Sequence, residues 1–90
     1  MADADSASPL EFPCSFPIKM MGRGRENFRA VAIELVERHA GTVAESAISE
    51  SASRNGNFVS ITITIEAQSR QQLDNIYNDL SNHEVILVAL

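Results

Sequence analysis

Four of the seven basic residues and two of the four glycines fall within one short stretch of the 90-residue chain, from Lys19 to Arg29. Its centre reads Met21-Gly22-Arg23-Gly24-Arg25-Glu26. Free backbone amides at a helix N-terminus, with arginines beside them, can hold a carboxylate or a phosphate. Arg23 and Arg25 stand where a helix dipole disfavours cations, and an anionic partner would relieve that. Gly22, Arg23, Gly24 and Arg25, with Lys19 close by in sequence, are therefore the candidate ligand-binding residues, for a small anionic metabolite. The plainer alternative is a solvated turn in which Glu26 already serves the dipole, with Lys19 an ordinary solvated lysine.

The other chemically capable side chains do not combine. Cys14 is the single cysteine and rules out an internal disulfide. As a nucleophile it needs a base beside it, and the element order below places neither histidine there. His39 closes a helical stripe, where a C-terminal position suits an imidazolium in a capping or packing role. His83 reads as a polar loop residue. Two separated histidines and one cysteine lack the spacing of a metal site. No paired carboxylates, nucleophile-base set or phosphate loop is present. The expectation is no catalytic residue, no metal, no cofactor and no enzyme.

The elements that must position these residues follow from hydrophobic period. Residues 1–13 are small and acidic, with Pro9 and Pro13, and read as a mobile leader to a single domain over 14–90. Phe16, Ile18 and Met20 alternate with Pro17, Lys19 and Met21, which predicts a strand with one buried face. Pro17 removes a ladder donor, so pairing is expected to start just after it. Phe28, Val31, Ala32, Leu35, Val36 and His39 form one stripe of a helix, leaving Arg29, Glu34, Glu37 and Arg38 solvated, with Gly41 as an αL stop. Residues 42–53 suit a weak edge strand, guarded by Glu45 and Glu50. Asn55-Gly56 predicts a type I′ hairpin turn. Val59, Ile61, Ile63, Ile65 and Ala67 then alternate with Ser60, Thr62, Thr64 and Glu66, the clearest strand. Ser69-x-x-Gln72 has the form of a capping box before Leu73, Ile76, Tyr77 and Leu80. Val85-Ile86-Leu87-Val88-Ala89-Leu90 predicts a last strand.

This order, β-α-β-β-α-β, buries three apolar stripes together only if both helices lie on one face of the sheet. The expected fold is an α+β, ferredoxin-like sandwich, with a four-stranded antiparallel sheet in the order 4-1-3-2.

Composition narrows the function classes. The chain is 44% hydrophobic and 21% charged, ordinary for a soluble globular domain. No apolar run approaches the ~20 residues of a membrane span. The acidic N-terminus lacks the features of a signal peptide, so a cytoplasmic location and no membrane partner are expected. Net charge is −5, with residues 1–13 contributing −3, 14–44 contributing +2 and 45–90 contributing −4. That balance argues against nucleic acid, whose binding rests on many phosphate contacts. RNA-recognition domains of similar plan stack bases on aromatics of the central strands. Here that face offers Ser60, Thr62 and Thr64, with Phe58 alone near its start.

Several motifs together, Phe12-Pro13, Phe16-Pro17, Lys19-x-Met21-Gly22, His39, Ser53-x-x-Gly56-x-Phe58 and Tyr77-x-x-Leu80, resemble the YbeD-like family of small bacterial proteins. The resemblance runs from about Leu10 to Leu90. It implies a fold similar to the ACT regulatory domains of amino-acid metabolism, in which the loop after the first strand lies near the effector site. Family members often bear the label of lipoate regulatory proteins, although the family is biochemically uncharacterised. Phe58 stands where Tyr is common in the family, so a role needing that hydroxyl is not carried over.

The last strand adds a second candidate surface. It is apolar on both faces, so Ile86, Val88 and Leu90, or their alternates, are expected to join Met21 in an exposed interface patch. A homodimer through this edge is one outcome, and a leader folded over it is the other. Two functions follow: a non-enzymatic regulatory or small-ligand-binding module, linked by resemblance to lipoate metabolism, or a protein-protein interaction module acting through its apolar edge.

Overall fold

The computed structural model describes residues 10–24 and 27–90. In chain order they form β1 (Cys14–Arg23), α1 (Phe28–Ala40), a 3₁₀ turn (Glu45–Ala47), β2 (Ile48–Ala52), β3 (Phe58–Ala67), α2 (Arg70–Ser81) and β4 (Val88–Ala89). The four strands form one sheet in the order β2-β3-β1-β4, which is 4-1-3-2 read in reverse, and every neighbouring pair is antiparallel.

The β1-β3 ladder runs unbroken from Cys14↔Ala67 to Arg23↔Phe58. Strand side chains alternate between faces, so this register alone sorts both strands. Ile18, Met20, Ile61, Ile63 and Ala67 turn inward and are at most 1% exposed. Phe28, Ala32, Leu35 and Val36 of α1 and Leu73, Ile76 and Leu80 of α2 close over them in the same core. Both helices thus share one face of the sheet, and Ser60, Thr62 and Thr64 lie on the other.

Pairing begins before Pro17, not after it. Leu90 N–H donates to Lys19 O at 2.7 Å and Leu87 N–H to Met21 O at 2.9 Å. The odd residues of β1 therefore aim their backbone groups at β4. Pro17 belongs to that phase, but β4 pairs with β1 only at Met20 and Met21. Its missing donor faces an edge with no strand partner, where proline costs no ladder bond and discourages intermolecular pairing.

The turns depart from expectation in informative ways. Gly56 N–H donates to Ser53 O at 3.0 Å, and Ser53 N–H to Phe58 O at 2.8 Å. The turn is thus centred on Arg54-Asn55, with Gly56 following at φ 74°, rather than being a two-residue type I′ turn at Asn55-Gly56. Gly41 has φ 79° and ψ −174°, an extended glycine conformation rather than αL, while its N–H completes a helical bond to Glu37 O. Ser69 Oγ accepts the Gln72 N–H at 3.1 Å. Gln72 Oε1 reaches back one residue further than a capping box requires, to the Gln68 N–H, and its Nε2 donates to His39 O. One side chain thereby starts α2 and ties it to the end of α1.

The terminal segments differ too. Residues 1–9 of the expected leader lie outside the described residues, while Phe12 is half-buried and packs against the core. The last strand is only Val88–Ala89, because Ile86 N–H donates to His83 O in a turn.

Gly22 packs closely against the first helix. A β-carbon there would lie 2.8 Å from Phe28 Cε1 and Cγ. Gly22→Ala should cost roughly 1–3 kcal/mol by overpacking. Urea unfolding would read this as a lower midpoint at unchanged slope; an unchanged midpoint would show that the Phe28 ring gives way.

Candidate functional site

The described members of the expected anion site, Lys19, Gly22, Arg23 and Gly24, do not converge on one cradle. Gly22 is buried in the ladder opposite Val59, where it makes room for Phe28. Gly24 allows the hairpin turn to close on β1, since a β-carbon would run into the Gly56 carbonyl. Its N–H is already committed to Asn57 O at 2.9 Å. Arg25 lies outside the described residues, as does Glu26. Lys19 and Arg23 are exposed and project from the outer face of β1, on the side opposite the helices. The glycines are thus explained by close backbone packing, and the two described cations point elsewhere.

What does assemble is a patch on the outer face. Met21 lies between Lys19 and Arg23 on β1, in register with Val88 of β4. Arg23 pairs with Phe58 of β3, its guanidinium carbon 6.0 Å from the ring centroid. Leu90 follows on the Val88 side by alternation. Met21 and Phe58 are each 40% exposed, Val88 44% and Leu90 69%. Of the expected interface residues, Met21, Val88 and Leu90 share this surface. Ile86 does not: it is 7% exposed and belongs to the core, because the turn at His83 rotates it beneath the sheet before β4 begins. Phe58 was missed as a member, although the Asn55-Gly56 turn signal placed it at the head of β3.

A cleft of about 380 Å³ opens at one end of this patch, lined by Arg23, Gly56, Asn57 and Phe58. A guanidinium, an aromatic ring and a glycine turn can receive a small carboxylate with an apolar body.

Arg29 and His39 instead link elements of the fold. Arg29, expected to be solvated, bonds Glu45 and, at 2.9 Å, Glu50. Both carboxylates hold its proton more firmly than usual. The pair expected to guard the β2 edge thus links α1 to that edge. His39 Nε2 lies 2.6 Å from Asp79 Oδ2, joining the two helices. Among the described residues, no three His, Cys, Asp or Glu side chains converge to hold a metal. No helix of the described residues is long and apolar enough to cross a membrane.

Tyr77 secures the strand that completes the patch. Its hydroxyl donates to Leu90 O at 2.6 Å, and its ring meets Phe16 edge-on at 6.5 Å. It also lines a groove of about 510 Å³ between α2 and β4, with Asp74, Asn78 and Leu87.

Helix pair, sheet order and register together define a ferredoxin-like α+β domain. The chain belongs to the family described as "Protein of unknown function (DUF493)", which matches residues 7–90. This is the YbeD-like family of small bacterial proteins that the motif order resembled. A UPF0250 protein of Chromobacterium violaceum is 42% identical over 81 residues, covering 90% of this chain and 91% of that one. Another, from Janthinobacterium, is 38% identical over 91 residues and covers both chains completely. The solution structure of protein HP0495 from H. pylori superposes with a TM-score of 0.68 over 100% of this chain and 96% of that one. At 17% identity, that likeness establishes the fold alone.

Burial raises the Tyr77 phenol above its usual range because the phenolate is the poorly solvated form. The folded state then holds the proton more tightly than the unfolded state. Its contribution is complete below pH ~10 and is lost as pH rises through the raised folded value. Tyr77→Phe should lose about 0.5–1.5 kcal/mol at neutral pH, from the missing bond to Leu90, and should flatten the stability decline above pH ~10. Denaturant unfolding from pH 8 to 11 checks both; an equally steep decline in the variant would assign it to other groups.

Proposed function

We propose that this protein is a non-catalytic binding module that docks a protein partner through the outer face of its sheet. The observation that carries this reading is the placement of Met21, Phe58, Val88 and Leu90, all substantially exposed, on one continuous surface. Scattered exposed apolar residues need no explanation, but a contiguous patch marks an interaction site. The core of the described residues is filled without them, so any cover for these side chains comes from outside the described residues. Membership in a family of unknown function neither supplies nor opposes a catalytic role. A regulatory role fits a domain that binds without chemistry, and a cytoplasmic setting fits its single free cysteine.

The cleft at Arg23 and Phe58 favours a second, narrower reading. A small anionic ligand with an apolar body would place its carboxylate on Arg23 and its body against Phe58. Lipoate has that chemistry, and the family resemblance first suggested it. Titrating lipoate and other apolar carboxylates should shift the amides of Arg23, Gly56, Asn57 and Phe58. Silence there across a broad panel would remove the ligand reading.

A single substitution separates partner docking from folding. Met21→Asp and Val88→Asp alter exposed positions, so stability should change by no more than about 1 kcal/mol. Each should nevertheless abolish recovery of a stoichiometric partner in native affinity capture. A partner retained at equal yield by both folded variants would overturn docking through this face.

A further inference from the structure

The charge of the patch points to the chemistry of its partner. Overall the chain carries −5, yet the apolar patch is bordered by cations. Lys19 and Arg23 flank Met21 at two residues on either side, on the same face. The remaining outer-face positions of β1 and β3 beyond them are Ser15, Pro17, Ser60, Thr62 and Thr64, with Glu66 at the opposite end, across from Ser15. The one carboxylate of β2 does not offset them, because Glu50 is in register with Ile61 on the helix side and is bound to Arg29. Among the described residues, no ion pair involves Lys19 or Arg23.

We propose that the outer face docks an acidic, apolar segment of a partner protein, whose apolar side chains rest on Met21, Phe58 and Val88 while its carboxylates meet Lys19 and Arg23. This rests on the docking reading above and specifies its occupant. Two other occupants from outside the chain fit the geometry less well. A second copy related by a two-fold axis at Met21 sets Lys19 of one protomer against Arg23 of its partner, opposing like charges. An anionic membrane would welcome the two cations but repel a domain whose summed charge is negative.

The test selects peptides from a random display library on the immobilised full chain, with Met21→Asp as the counter-selection. Enriched peptides should combine Asp or Glu with large apolar residues. A synthetic representative should bind about tenfold more weakly to the folded double variant Lys19→Glu, Arg23→Glu, and more weakly as salt is raised. It should shift the amides of Lys19, Met21, Phe58 and Val88. Apolar peptides without acid, lost on Met21→Asp but indifferent to the charge reversal, would overturn the acidic partner and leave face docking standing. No enrichment above the counter-selection would remove both. A dimer that dissociates on Met21→Asp would assign the face to a second copy. Sedimentation with phosphatidylglycerol vesicles, abolished by the same change, would assign it to a lipid surface. Either result overturns the proposal.

Discussion

The β1-β3 ladder is the constraint from which the remaining structure follows. Its register, from Cys14↔Ala67 to Arg23↔Phe58, decides by parity which side chains face the helices. A slip of one residue would send Ile61, Ile63 and Ile65 to solvent and draw Thr62 and Thr64 into the core. Burying hydroxyls without partners costs about 1–3 kcal/mol each, on top of the lost apolar burial, so one register dominates. The same parity places Lys19, Met21 and Arg23 on the outer face. Core and patch are two faces of one pairing decision.

That link explains why the fold was readable in the sequence. Ile61, Ile63 and Ile65 against Thr62 and Thr64, and the stripes Phe28–Val36 and Leu73–Leu80, are local patterns that tertiary packing only has to honour. The failures are equally local. Val85–Leu90 is uniformly apolar, so no period told which residues turn inward. The chain resolves this with a turn at His83 that buries Ile86 and leaves only Val88–Ala89 in the sheet. The Asn55-Gly56 pair correctly announced a hairpin, but loop length depends on where β2 and β3 come into register, which the turn residues do not encode.

The candidate site was less legible, because residue type does not distinguish a glycine that receives a ligand from one that receives its own chain. Gly22-Arg23-Gly24 satisfies the composition of an anion loop. Yet Gly22 admits Phe28, and Gly24 admits the hairpin carbonyls at Gly56 and Asn57. The first demand comes from the start of the next element and the second from a hairpin distant in sequence. Arg29 shows the same effect in reverse. Its position off the apolar stripe suggested solvation, whereas Glu45 and Glu50 reach it from the segment that follows α1.

The two halves of the outer face also obey different rules. Around Ser49, Ser51, Ser60, Thr62 and Thr64 it is built as an open sheet face should be, with small hydroxylated residues that suit strands and tolerate water. Around Met21, Phe58, Val88 and Leu90 it is not, although polar strand formers at these positions would leave the inner core and its register untouched. Exposed apolar surface carries an unfavourable free energy of about 25 cal/mol per Å² relative to a buried state. Foldability alone therefore gives no reason for Met, Phe, Val and Leu to gather there. Lys19 and Arg23 set positive charge on either side of Met21 on that same face. Apolar area flanked by cations is the combination that the proposed acidic, apolar partner would complement.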